Sequence, residues 1–315
     1  MRGRPCSSSA ARFAPAGVCF FAVLGELAAL GTATCWSVTS LVFAEAARRV
    51  GALRVNLLRL PVALVLLSAV LVASRHPFEA VTGGRVGLLA ASGVVGLVVG
   101  DLAFFASLRR LGARLTSLLM ALAPIFAALA ALALLREVPG TQALVGIALT
   151  LSGVAWVVGE PRTAENRDER SAAGVALGVT GAACQGVGLV LAKAGMAGEV
   201  APLTATWVRI GIATTVIWAL TAANRRFTGM GPRTAVAGAG PYILAGAFFG
   251  PFLGVWLSLT AAKLTDVGVA ATIMATSPIL VIPLVMLTER YRPTLRAVIG
   301  TVVAVVGVAL LFARG

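Results

Sequence analysis

The chain has 315 residues, of which 59% are hydrophobic and only 12% are charged. Soluble domains carry about 25% charged residues, so this sequence lacks the polar surface that water requires, and lipid must be its solvent. Its formal net charge is +14, yet the cations stand singly or in pairs between apolar runs, which suits membrane-flanking anchors and argues against nucleic acid as a partner.

At the start of the chain, Arg2, Arg4 and Arg12 precede the apolar run "GVCFFAVL", a pattern that partly resembles a secretory leader. The apolar sequence continues to about Ala44, so the first helix is expected over 26–45, behind an N-terminal extension over 1–25. Glu26 then falls at a helix N-terminus near the interface, where a carboxylate is favoured. Further apolar runs of membrane-spanning length are expected over 54–74, 86–108, 113–135, 140–159, 172–195, 202–223, 235–262, 266–288 and 294–313. Short connections such as "RRVGALR", "RRLGAR" and "ERYRP" hold most of the charge. The most polar stretch, "GEPRTAENRDERS", marks 160–171 as a linker between a first unit at 26–159 and a second at 172–315.

The two units resemble each other. "GTATCWSV" at Gly31 lies over "GAACQGVG" at Gly181, an offset of 150, and the same offset sets "LLRLPVA" over "WVRIGIA", so that Arg59 falls on Arg209. Later the offset becomes 154 and places Pro124 on Pro278, Gly146 on Gly300 and Gly153 on Gly307. Five spans per unit is an odd number, so the second unit must enter the membrane the other way up. The expected fold is an all-α integral membrane protein of ten transmembrane helices, arranged as two inverted five-helix repeats with a site near the midplane between them. The glycines at 146/153 and 300/307 are seven apart. Each pair lies on one helix face and is read as packing.

Ten spans, an arginine opening helices two and seven, and a repeated pattern carry a family resemblance. The pattern is "APIFAALAALALLREVPGTQALVGIALTLSGV" in the first unit and "SPILVIPLVMLTERYRPTLRAVIGTVVAVVGV" in the second. Over about 26–313 the chain resembles the drug/metabolite transporter superfamily, specifically a tandem EamA-type protein. The resemblance implies transport of a small metabolite but fixes no substrate. One departure stands out: Glu137 follows its proline by thirteen residues, whereas Glu289 follows Pro278 by eleven. Both glutamates are read as helix-end interface residues.

Ionisable groups inside spans are functional hypotheses that need partners. Arg59 lies about 7 Å deeper than Arg54, and Asp101 about 12 Å deeper than Arg109 on the same side, at 1.5 Å per helical residue. Asp101 and Arg59 are therefore expected to be neighbours, either as a structural ion pair locking helices two and three or with Asp101 as a coupling residue that takes up a proton. The alternative is an Asp101 that faces the interface. The second unit has Val255 where the offset of 154 places Asp101. Arg209 thus lacks the matching acid, and Glu199 is a candidate to neutralise it or Lys193. Arg209 and Lys193 are expected to contact an acidic or zwitterionic substrate, with Trp36, Gln185, Asn56, Thr206 and Trp207 as further candidates for the cavity wall. Snorkelling to headgroups is the bland alternative for the two cations. Pro124 and Pro278 each remove a helical hydrogen bond and are expected to kink their spans, as hinges or as static bends.

Catalysis is not expected. "GVVGLVVGD" lacks the ending of a phosphate-binding loop, His76 is the one histidine and sits in a polar connection, and Cys6, Cys19, Cys35 and Cys184 form no C-x-x-C pair. Neither cofactor nor metal is expected. The reading is a secondary active transporter, an exporter by direction, moving a small metabolite by alternating access in the plasma membrane as a monomer. A lipid-linked or amphipathic substrate is the alternative within transport, and a non-transporting membrane partner or sensor the alternative outside it. Arginine counts would put the connections after the odd spans inside the cell, whereas the family resemblance implies cytoplasmic termini.

Overall fold

The computed structural model describes residues 16–74, 83–135, 141–159, 171–198, 200–223, 233–265, 270, 273–288 and 293–312. The described residues are almost entirely helical. In chain order the helices are α1 (Ala16–Val50), α2 (Ala52–Ser74), α3 (Gly83–Ser92), α4 (Asp101–Met120), α5 (Ala123–Leu135), α6 (Thr141–Val158), α7 (Ala172–Gly195), α8 (Pro202–Ala223), α9 (Arg233–Ala247), α10 (Val255–Leu264), α11 (Ser277–Thr288) and α12 (Leu295–Phe312). A π-helical segment, Gly93–Gly100, joins α3 to α4, and a second, Phe248–Gly254, joins α9 to α10.

Among the described residues, six stretches are long and apolar enough to cross a membrane: Val23–Val50, Ala52–Ser74, Gly83–Met120, Ala172–Gly195, Pro202–Ala223 and Gly238–Leu264. Shorter apolar helices cover Leu144–Val158, Ser277–Thr288 and Leu295–Leu310. The surface confirms which solvent the chain meets. Leu287 is 80% exposed and Val72 79% exposed, while Arg59 and Arg209 are each 4% exposed. Large apolar side chains face outward while charges within the spans, Arg59, Asp101 and Arg209, face inward, the reverse of a water-soluble domain.

The elements differ from expectation in two places. α1 begins ten residues before the expected start at 26. Glu26 is therefore an exposed residue within the helix and not a residue at its N-terminus, because the apolar run ahead of it carries no helix-stopping residue. The expected fourth and ninth spans are not continuous helices. α4 and α5 are separated at residues 121–122, and a like break precedes α11. Pro124 and Pro278 have no N–H to donate to the carbonyl four residues back. The chain tightens there instead, with Ile125 N bonding Leu122 O at 3.0 Å and Ile279 N bonding Thr276 O at 2.9 Å. Within α4 the direction changes at Gly112, whose φ of 73° suits glycine.

Packing has a paired character. α1 lies against α9, the second π-helical segment, α10 and α11; α7 lies against α3, the first π-helical segment, α4 and α5. α2 packs on α8, and α6 on α12. The α6–α12 contact is a glycine crossing: a Cβ on Gly153 would stand 2.6 Å from Gly300 O and from Ala304 N, and one on Gly307 would stand 2.8 Å from Gly146 O. Bare backbone approaches bare backbone, as small residues permit in membrane helices.

A buried ionic centre around Asp101

Asp101 opens α4 immediately after the first π-helical segment. Wider turns in such a segment leave backbone carbonyls available to partners outside the helix. Asn56 from α2 takes one of them, its Nδ2 donating to Leu97 O at 2.8 Å. Its Oδ1 then faces back and accepts from Arg59 Nε at 2.9 Å. Arg59 Nη2 pairs with Asp101 Oδ2, and Gln185 Nε2 from α7 donates to Asp101 Oδ1 at 2.8 Å. The same Gln185 amide reaches Gly96 O at 3.4 Å. Aromatic rings stand beside the guanidinium of Arg59, Phe105 at 4.8 Å and Phe43 at 5.4 Å from ring centroid to Cζ. Arg59 is thus provided with a carboxylate, an amide oxygen and two π faces.

Arg209 on α8 is treated differently. It is as buried as Arg59, but its Nε has no hydrogen-bond partner among the described residues. Its own backbone carbonyl presses on the first π-helical segment, since a Cβ on Gly93 would stand 2.5 Å from it. Its Nη2 lies over Gly96, 3.5 Å from where a Cβ there would be. Asp101 is within electrostatic reach of Arg209, so one carboxylate sits among two buried guanidinium groups. Among the described residues, two cations and one anion leave the centre with one positive charge in excess, and such a charge in a low-dielectric interior is costly without a partner.

The structure brings Asp101, Arg59, Asn56, Gln185 and Arg209 together. The other sequence candidates lie elsewhere. Thr206 is buried but returns its hydroxyl to Pro202 O at 2.8 Å within its own helix. Trp207 donates Nε1 to Ser68 Oγ at 2.8 Å, a link between α8 and α2. Trp36 packs at the end of the second π-helical segment, with Nε1 3.1 Å from the Cβ position of Gly254. Lys193, expected on the same half of the cavity as Arg209, is exposed near the end of α7. It lies eight residues from Gln185, or about 12 Å along the axis. Glu199, Glu137, Glu289, His76 and Cys6 fall outside the described residues. Reading the sequence missed Phe43, Phe105 and the glycines at 93, 96 and 100. The glycine spacing directly before Asp101 was the available signal, while the two phenylalanines were indistinguishable from core.

On the outer flank, a largely apolar groove of about 360 Å³ lies between α1 and the second π-helical segment with α10. Leu30, Cys35, Phe249 and Leu257 are among its lining residues, and Leu30 and Phe249 are themselves exposed.

Comparison with known proteins agrees with the helical repeat. The model of the EamA-like transporter family matches twice, over residues 23–159 and over 172–313. A solved structure, described only as the crystal structure of a protein, is similar to this chain with a TM-score of 0.64 at 17% identity, covering 92% of this chain and 96% of the other. That likeness concerns the fold alone. No curated protein matches the sequence significantly.

Proposed function

The chain belongs to the EamA-like transporter family, and from that premise we propose that it is a secondary active transporter that exports a small acidic or zwitterionic metabolite across the plasma membrane by alternating access. In this reading the moving parts are two inverted five-helix repeats, 26–159 and 172–315, joined by the linker at 160–171. The reading is supported by features that recur at a constant offset of 154: the π-helical segments ending at Gly100 and Gly254, and the helix breaks at Pro124 and Pro278. Those two breaks are the proposed hinges.

The observation that carries the substrate class is the buried Arg209 with its unpartnered Nε. Arg59 already has its counter-ion, so Asp101 and Arg59 are assigned to holding α2 against α4, and Arg209 to the substrate carboxylate. A planar guanidinium binds two carboxylate oxygens at once, which a lysine cannot do. Arg209→Lys in proteoliposomes should therefore raise KM for an acidic or zwitterionic substrate by tenfold or more while the protein remains folded. Wild-type KM in that variant would remove Arg209 from the substrate site. A second reading, an amphipathic or lipid-linked substrate, has one observation in its favour, the apolar groove on the flank of α1. Competition of transport by a long-chain carboxylate but not by its short-chain counterpart would favour it.

A further inference from the structure

The three glycines of the first π-helical segment are not equivalent. A Cβ on Gly93 would stand 2.5 Å from the carbonyl oxygen of Arg209, and one on Gly100 would stand 2.9 Å from Cys184 Cβ and 3.2 Å from Val95 O. Backbone and short side chains close both positions, so packing explains both glycines. Gly96 has no such reason. A Cβ there would meet Arg209 Nη2 at 3.5 Å, Gln185 Oε1 at 3.7 Å and Gly188 Cα at 4.0 Å, all ordinary van der Waals separations. Its backbone does not require glycine either, because among the described residues the positive-φ glycines are Gly51, Gly112 and Gly198. Alanine would fit, and would favour a helix over glycine. Glycine at 96 therefore leaves open a recess that a side chain could fill, beside both a donor, Arg209 Nη2, and an acceptor, Gln185 Oε1.

The chemistry of the recess walls is specific. Asp101 can only accept, so Gln185 must turn its Nε2 to the carboxylate, which leaves Oε1 facing the recess. Nη2 of Arg209, which is more than nine-tenths buried, lies near the same point, and the Nε of that guanidinium has no partner among the described residues. We infer that this recess receives the charged head group of the substrate, with a carboxylate on Arg209 and a neighbouring ammonium on Gln185 Oε1, and that Gly96 sets the size of head group admitted. The inference rests on Arg209 being the substrate anchor and adds to it a residue that has no charge of its own.

Glycine is the smallest probe with both groups. Full-length protein in detergent is heated with glycine, with acetate, or with sodium chloride at equal ionic strength, and the unfolding midpoint is read. Wild type should be stabilised by glycine more than by acetate, and by both more than by chloride. Gly96→Ala should unfold at or above the wild-type midpoint without probe, yet need at least tenfold more glycine for the same shift. Arg209→Ala should not respond. Gly93→Ala, where a Cβ has no room, should lose folded protein. A wild-type glycine response in Gly96→Ala overturns the recess and leaves the anchor standing, whereas a wild-type response in Arg209→Ala overturns the anchor and the recess together. Absence of any glycine response in wild type overturns the zwitterionic head group. Loss of folding in Gly96→Ala would show that packing fills the space, which also overturns the inference.

Discussion

Among the described residues, Asp101 is the one carboxylate beside two buried guanidinium groups, and its removal should be felt in stability before anything else. Asp101→Asn keeps the shape and the bond to Gln185 but leaves Arg59 buried without its counter-ion. Breaking one side of a buried pair costs about 3–5 kcal/mol. A loss of that order, visible as reduced folded yield in detergent, is expected. Replacing both partners by leucine should cost less than the single change, because no charge is then stranded. If Asp101 instead carries a coupling proton, Asp101→Asn folds normally and loses the pH dependence of transport. The pairing of Asp101 with Arg59 was legible in the sequence, since the depth of each residue follows from its distance to the nearest loop arginine. The roles of Phe43 and Phe105 were not, because an aromatic residue on a buried helix face looks the same whether it packs on leucine or on a guanidinium. Lys193 shows the opposite failure. It sits in the last turn of an apolar helix, and nothing in its spacing tells an inward lysine from an exposed one.

At the scale of elements, the two π-helical segments decide where polar chemistry can occur. The first offers carbonyls to which Asn56 and Gln185 donate from two different helices. By the offset of 150, Asn56 is matched by Thr206 in the second unit and Gln185 by Cys35 in the first, and neither counterpart provides an amide. Thr206 in fact bonds within its own helix. The ionic centre is therefore one-sided although the helices are paired. No periodicity in the sequence announces a π-helical turn, because apolar residues fill both faces of the segment and its hydrophobic pattern carries no register. The breaks at Pro124 and Pro278 were readable for the reverse reason, as proline acts on the backbone whatever surrounds it. A second prediction belongs here. Gly153 on α6 faces Gly300 O and Ala304 N of α12 at distances no real Cβ tolerates. Gly153→Ala should force these helices apart and destabilise by about 1–3 kcal/mol, the usual range for overpacking. The ionic centre lies elsewhere, so the KM of the folded fraction should be unchanged.

For the whole molecule, composition alone excluded a water-soluble fold, and the constant offsets pointed to a duplicated chain. The family match over 23–159 and again over 172–313 bears out the resemblance to a tandem EamA-type protein. The asymmetry between the halves matters most for function. One half supplies a satisfied arginine and its carboxylate, and the other supplies an arginine with an unpartnered nitrogen in the same buried space. Transport that depends on this excess positive charge must discriminate substrates by charge. The direct measurement is uptake into proteoliposomes of purified protein, using pairs of small metabolites that differ only in whether a carboxylate is free or converted to its primary amide. Transport of the free acid or zwitterion, weak or absent transport of the amide, and loss of that preference in Arg209→Ala are the expected results. Equal transport of acid and amide by the wild-type protein, or an unchanged preference in Arg209→Ala, would contradict the assignment of Arg209 as the substrate anchor.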